Sequence, residues 1–354
     1  MMSNEQIIYD FSALGSALLN ASQQDNLRHG AGLSHNSSLR FEIENSCNYN
    51  PWFIPSFVRF AYTAWAEALQ SRKISQWIKQ FTPNTEENKA PASVGIIMAG
   101  NIPMVGLHDL LCVLASGHHA MIRLSSADDH LIPAVLNTLT GLDSGLENRF
   151  TFVQGPLKNF NAIIATGNNN SSRYFDYYFG RYPHIIRKNR NGIAVITGDE
   201  SKGEMKKLAT DIFMYFGLGC RNISKIYLPD KFGIEEIMPF FEDYAFLADH
   251  NKYRNNYDYH KSIFLINRID HRDNGFLLAR KESTIMSPIS VLHAETYESI
   301  DLLNNQLFHL RDQIQCIVSC HKDLKNAILP GRSQFPELWD YADGVNTMEF
   351  LMSL

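Results

Sequence analysis

Cys220 stands at the centre of F-G-L-G-C-R-N, Phe216 to Asn222, where Gly217 and Gly219 let backbone N–H groups and a ligand come close to the thiol. A cysteine in such a place is a candidate nucleophile. The other reading is a small buried apolar side chain, because cysteine packs as one. Two further stretches place polar residues and glycine after apolar runs: A-G-N-I-P at 99–103 and A-T-G-N-N-N-S-S at 165–172. The second can receive an anion, since Gly167 permits close approach and a helix from about Ser171 would offer unpaired N–H groups and its positive dipole end. Neither G-x-G-x-x-G nor G-x-x-x-x-G-K-[ST] occurs, and no metal-ligand spacing does. Cys316 and Cys320 fall on one face of a strand-like Q-C-I-V-S-C and read as packing residues; His118 and His119 follow a glycine stop and read as structural.

The elements that must hold these residues follow from periodicity. Met205, Leu208, Ala209, Ile212, Phe213 and Phe216 predict an amphipathic helix over 202–216, stopped by Gly217 and followed by a strand, I-S-K-I-Y-L-P, that Pro229 closes. From Ser93, V-G-I-I-M-A-G is a buried-type strand, N-I-P-M a turn, Val105 to Ser116 a helix and A-M-I-R-L a second strand, which is a β-α-β unit. S-S-A-D-D opens a helix to about Leu142, with Ser125 or Ser126 as N-cap. F-T-F-V-Q, N-A-I-I-A and I-A-V-I-T-G are further strands, so the chain is α/β with ligands expected beyond strand C-termini. Before this region the pattern is weaker: a helix near Phe11 to Ala21, a loop rich in Asn, Ser and His up to about residue 50, and a helical stripe from Pro55 to Leu69 read as scaffold or subunit contact.

Composition bounds the function. A chain of 354 residues, 45% hydrophobic and 19% charged, reads as a globular protein long enough for a large core and two domains. A formal charge of -5 provides no basic field for nucleic acid. Five scattered cysteines argue for reduced thiols in a cytoplasm, and M-M-S-N-E-Q with no apolar run near membrane length predicts neither export nor a membrane span.

V-G-I-I-M-A-G-N-I-P, then A-S-G-H-H-A-M-I-R-L-S-S, A-T-G-N and F-G-L-G-C-R, in this order, resemble segments of the aldehyde dehydrogenase superfamily. G-L-G-C-R-N together with D-Y-A-D-G-V-N-T-M-E-F-L is similar to the LuxC-type acyl-CoA reductases, the fatty acid reductases, and the match runs from about residue 90 to the C-terminus. The resemblance implies an aldehyde dehydrogenase-like α/β fold with a nucleotide-binding domain at 1–185 and 320–354 and a catalytic domain at 186–319. It implies a reductase of fatty acyl thioesters, on CoA or on a carrier protein, that forms an acyl-cysteine at Cys220 and releases an aldehyde. Asn101 matches the side-chain donor to the acyl oxygen, with the Cys220 N–H as its partner. The implied cofactor positions are Gly100, Arg123, Ser125, Ser126, Thr166, Gly167 and Asn168, and a homo-oligomer is expected.

Departures from the superfamily carry information of their own. Arg123 stands where a lysine is usual and Ser126 where many members carry a glutamate on the ribose hydroxyls, so a 2′-phosphate would be accommodated and NADPH is expected, with NADH the alternative. Asn168 replaces the usual serine. Where hydrolytic members carry a general-base glutamate this chain reads I-I-R-K-N-R-N-G, with Arg187 or Lys188 in its place; where they carry E-I-F-G-P it reads T-I-M-S-P, Thr284 to Pro288. Glu282 is the nearby carboxylate that could act instead. The alternatives are an ordinary NAD(P)-dependent aldehyde dehydrogenase and a catalytically silent relative acting as an interaction subunit.

Overall fold

The structure, a computed structural model, describes residues 3–23, 34–81, 90–167 and 169–354. These divide into two compact units, 1–188 with 335–354, and 189–334. The chain returns to the first unit at residue 335, later than the 320 expected, because 320–334 packs with the second.

The first unit opens with four helices: α1 (Asn4–Ser22), α2 (Ser34–Tyr49), α3 (Pro55–Ala68) and α4 (Ser71–Ile78). Ser3 caps α1 by accepting from the Gln6 N–H at 3.1 Å, and Ile7, Phe11, Leu14 and Leu18 are its buried stripe. Residues 34–49, expected as loop, are helical. Leu39 and Ile43 carry the burial while Phe41 is exposed, so packing on neighbouring helices decides what periodicity left faint.

A five-stranded sheet follows, built from β1 (Ser93–Ile97), α5 (Leu107–Ala115), β2 (His119–Arg123), α6 (Leu131–Leu142), β3 (Phe150–Phe152), β4 (Ala162–Thr166), α7 (Asn169–Phe179) and β5 (His184–Arg187). All pairings are parallel, in the order β3-β2-β1-β4-β5. The order reverses beside β1, so the C-terminal ends of β1 and β4 flank a switch point, where ligands bind on open sheets. Both helices next to it start later than expected. Residues 101–106 are turn before α5, and 125–130 are turn and bend before α6, so Ser125 and Ser126 are not its N-cap.

The second unit runs β6 (Asn191–Val195), α8 (Lys202–Phe213), β7 (Ile223–Pro229), α9 (Asn251–Ile266), β8 (Arg272–Asp273), β9 (Leu278–Lys281), β10 (Val291–Tyr297), α10 (Ile300–Leu310) and β11 (Ile314–Ser319). Its strands order as β11-β6-β7-β10-β9-β8, parallel except at β8. Ile193, Val195, Tyr227, Leu303, Leu307 and Ile314 fill the core on one side. The strand expected at I-A-V-I-T-G is β6 of this sheet.

The chain ends in α11 (Thr347–Met352), back in the first unit. Arg187, at the end of β5, holds it there: its guanidinium donates to Asp109 of α5 at 2.5 and 3.1 Å, to the Ala342 carbonyl at 2.7 Å and to the Thr347 hydroxyl at 2.8 Å. Both charged side chains are 6% exposed. Burial acts to raise the Asp109 carboxyl, and the Arg187 charge and hydrogen bonds outweigh it, holding the group below its usual value. Trp77 adds a 2.8 Å hydrogen bond from its indole N–H to the Tyr341 hydroxyl. Removing one partner of a buried pair strands a charge, so Asp109→Ala should lose ~3–5 kcal/mol of stability in urea unfolding, and Arg187→Met with Asp109→Leu should recover most of it. An equal loss in the single and double variants would show that the pair contributes only shape.

Candidate functional site

In the second unit, α8 begins with a capping box, the Ser201 hydroxyl accepting from the Glu204 N–H while Glu204 accepts from the Ser201 N–H. It ends at Phe213, three residues before the expected stop. Tyr215, Phe216 and Gly217 then take successive left-handed conformations, with φ of 54°, 58° and 75°. For a tyrosine and a phenylalanine this costs ~1–2 kcal/mol each. Both are buried, and the Phe216 ring lies 4.4 Å from that of His250 and 5.9 Å from that of Tyr253, centroid to centroid, so packing of the rings offsets the strain.

This reversal delivers Gly219–Cys220–Arg221–Asn222 as a tight turn, closed by the Asn222 N–H donating to the Gly219 carbonyl at 3.0 Å. The Gly219 N–H donates to Asn222 Oδ1 at 2.8 Å. Cys220, half-buried, lies between the two bonded residues. Asn222 Nδ2 donates to the Asp211 and Met214 carbonyls at 3.0 and 2.9 Å. Asp211, fully buried on α8, accepts from the Gly331 N–H at 2.6 Å and the Ser333 N–H at 2.9 Å, and burial raises its carboxyl to about 6. Arg221 Nε donates to the Ser333 carbonyl at 2.6 Å. On the neighbouring strand, a Cβ at Gly192 would sit 2.8 Å from the Arg221 carbonyl oxygen, so only glycine lets β6 pass the turn. Cys316 and Cys320 part company: one thiol lies 3.7 Å from the Arg221 carbonyl oxygen, the other 3.4 Å from Glu204.

The T-I-M-S-P segment is tied to β7. Ser224 Oγ donates to the Ile285 carbonyl at 2.8 Å, and Lys225, fully buried, donates from Nζ to the Ser283 carbonyl at 2.6 Å and to Glu295. Ile285 enters the core, while His293 Nδ1 lies 2.9 Å from the Thr284 carbonyl oxygen. Glu282 is paired with Arg280, whose hydrogen bond holds the carboxyl below its usual range; a carboxylate so held is a poor base.

In the first unit, one edge of the sheet collects the sequence-derived positions. Ile97 pairs with Arg123 on one side and Ala165 on the other, and Gly100, Asn101, Ser125, Ser126, Thr166 and Gly167 all lie at or beyond that row. Asn168 falls outside the described residues. A Cβ at Gly100 would meet Ser125 Oγ at 2.8 Å, so the two turns touch only because position 100 is glycine. Arg123 and Ser126 are exposed, and α7 starts immediately beyond the glycine turn at Asn169. His118 is engaged by the Ala92 N–H and the Leu351 carbonyl, and His119 by Asn148 and Thr151, consistent with structural roles. Arg187 is committed to Asp109 and Lys188 is exposed, with its N–H donating to Asp343 at 3.3 Å. Among the described residues no group of His, Cys, Asp or Glu could hold a metal ion, and no helix is long and apolar enough to cross a membrane.

The sequence reading missed Asp211 and the clasp that the Asn222 side chain makes at the Cys220 turn, and Asp128, which accepts from Met104 in the turn after β1. Asp211 left a signal: it is three residues after Leu208 in the apolar stripe of its helix, a register where a carboxylate must be hydrogen-bonded or neutral.

No family model and no curated protein matches the chain. Solved structures do. A putative aldehyde dehydrogenase, PutA, from Anabaena variabilis is 12% identical with a TM-score of 0.63, over 93% of this chain and 75% of that one. Aldehyde dehydrogenase 21 from Physcomitrella patens, in complex with succinate, is 9% identical with a TM-score of 0.60, over 100% and 89%. The chain has the aldehyde dehydrogenase fold. The NAD+ complex of an aldehyde dehydrogenase from Bacillus cereus shares that fold at 11% identity, with a TM-score of 0.59 over 92% of this chain. Identities this low carry the aldehyde dehydrogenase architecture and leave the chemistry to the residues.

Asp128 bears on how the turn after β1 is held. Its Oδ2 accepts from the N–H of Met104, itself left-handed at φ 57°, at 2.7 Å, while Oδ1 is buried with no hydrogen-bond partner among the described residues. Burial raises the carboxyl from 3.8 to about 7 against the N–H groups of Met104 and Leu131, which favour ionisation. A carboxyl raised in the folded state contributes stability that is complete below 3.8 and is lost as pH climbs through about 7. Asp128→Asn keeps an acceptor for Met104 without the charge, so thermal melts should show the variant gaining on the parent, by on the order of 1–4 kcal/mol, from about pH 5 to about pH 8. A gap constant with pH would mean Asp128 does not titrate there.

Proposed function

We propose that the chain is an NADPH-dependent acyl-thioester reductase in which the first unit binds the nucleotide and Cys220 of the second carries the acyl group. The supporting observation is that Arg187, which with Lys188 stands by resemblance where a hydrolytic relative would keep its base, is bound into a buried ion pair with Asp109, while Glu282, the nearby carboxylate that could act instead, is paired with Arg280. Cys220 attacks the thioester carbonyl, forming a C–S bond as the carrier thiolate leaves. Hydride addition at the same carbon and cleavage of the new C–S bond then release the aldehyde and regenerate the thiolate. Asn101 is assigned by resemblance to donate to the carbonyl oxygen, a role worth ~10²–10³ in rate.

The exposed guanidinium of Arg123, the hydroxyls of Ser125 and Ser126, and the Thr166–Gly167 turn before α7 fit a phosphorylated nucleotide. When bound, NADPH supplies the hydride. Arg123→Ala should weaken NADPH binding about tenfold or more and leave NADH little changed, because only a 2′-phosphate loses a charge-assisted contact; equal losses by calorimetry would remove Arg123 from the cofactor site.

An ordinary NAD(P)-dependent aldehyde dehydrogenase has the same fold behind it, and the fate of the acyl-enzyme separates the two. Incubation with labelled acyl-CoA and no nucleotide should leave a stable label on Cys220, absent in Cys220→Ala. Aldehyde oxidation with NADP+ should require an added thiol and yield thioester. Rapid formation of free acid without a thiol would favour the hydrolytic enzyme.

A further inference from the structure

The reading of Cys220 as nucleophile leaves open what fixes its direction. A cysteine on a loop gains little from its intrinsic reactivity if the loop wanders, and a misplacement of about 1 Å can cost ~10²-fold in rate. Three features before Cys220 work against a fixed position: α8 ends at Phe213, Met214 is extended with φ -53° and ψ 140°, and residues 215–217 are left-handed. The buried end of α8 therefore leaves carbonyl oxygens that must find donors elsewhere.

We propose that Asn222 is the positioning residue of the nucleophile, its single carboxamide serving as C-terminal cap of α8 and as clasp of the Cys220 turn. On one side Nδ2 reaches the Asp211 and Met214 carbonyls at 3.0 and 2.9 Å, with the Ile212 carbonyl at 3.4 Å. On the other, Oδ1 takes the Gly219 N–H at 2.8 Å while the Asn222 N–H returns to the Gly219 carbonyl at 3.0 Å. This reciprocal pair brackets Cys220 and fixes the backbone on both sides of it. The side chain is 2% exposed, so water cannot replace either set of bonds. Arg221 and Asp211 close a ring on the far side by holding the carbonyl and the N–H of the same residue, Ser333, at 2.6 and 2.9 Å. Cys220 thus rides on a loop hydrogen-bonded to the helix before it and to the segment 331–333. No other common side chain of this size offers both donor and acceptor in one plane: aspartate keeps the acceptor and loses the donors, and alanine loses both.

The test separates orientation from thiol reactivity and from folding, in the full chain. p-Nitrophenyl acetate acylates a directed cysteine with release of p-nitrophenolate, whatever the natural acyl donor, while iodoacetamide alkylates an exposed thiolate with little demand on orientation. Asn222→Ala and Asn222→Asp should slow the acylation burst about tenfold or more, leave alkylation of Cys220 within about threefold, and retain a cooperative thermal transition above the assay temperature. Burst rates within about threefold of the parent in both variants would overturn the proposal. So would parallel losses of burst, alkylation and cooperative melting, which would reduce Asn222 to a structural cap. A parent with no burst sensitive to Cys220→Ser would instead overturn the reading of Cys220 as nucleophile, and the positioning role with it.

Discussion

The buried end of α8 exposes backbone carbonyls to a core that water does not reach, and the surroundings of Cys220 follow from how those oxygens are satisfied. A glycine cap would let the helix end and the chain leave in any of several directions. Here a run of left-handed residues turns the chain back, and the donors come from a side chain nine residues past the end of the helix. The solution ties two things together that need not be tied: the integrity of a helix and the position of a thiol. Strain at Tyr215 and Phe216 is held in place by burial of both rings, so the turn is over-determined by packing and by hydrogen bonds at once.

A second buried polar group organises the first unit. Arg187 ends the outermost strand and gathers α5, the Ala342 carbonyl and Thr347, which returns the C-terminal segment to a sheet laid down far earlier in the chain. An ion pair so buried contributes little net stability over an apolar replacement, yet it is selective about what it will accept as partner. The commitment of Arg187 to Asp109 locks the cation into the architecture.

The first unit's sheet is the other organiser. Its strand order reverses beside β1, and the polar turns after β1, β2 and β4 come out on one edge because all three strands run parallel. Residues separated by more than sixty positions, such as Ile97 and Ala165, become strand partners at the end of the sheet through topology alone. Asp128, drawn beneath the first turn to cap a strained Met104, shows how closely the turns must pack for this to happen.

Much of this was legible in the residues. Apolar runs and glycine stops located β1, β2, β4 and β7, and the ordered motifs pointed to the aldehyde dehydrogenase fold, because strand burial and turn chemistry are local and leave a period-two or period-3.6 trace. The exceptions are instructive. The helix over 34–49 carries too few apolar residues for periodicity to register, and only its packing on neighbouring helices makes it a helix. The end of α8 was placed three residues late because Phe216 continues the apolar rhythm although it lies past the reversal; hydrophobicity reports burial, and it is silent about φ. Arg187 could be read as a substitution for a base, but only the fold shows it buried against Asp109. Asn222 follows Cys220 by two positions and looks like any turn asparagine until α8 is folded back to within reach of its amide. Sequence alone determined which residues could do chemistry, because side-chain type is local; tertiary structure decided which of them are held and by what, because a hydrogen bond to a buried carbonyl depends on where the chain has returned.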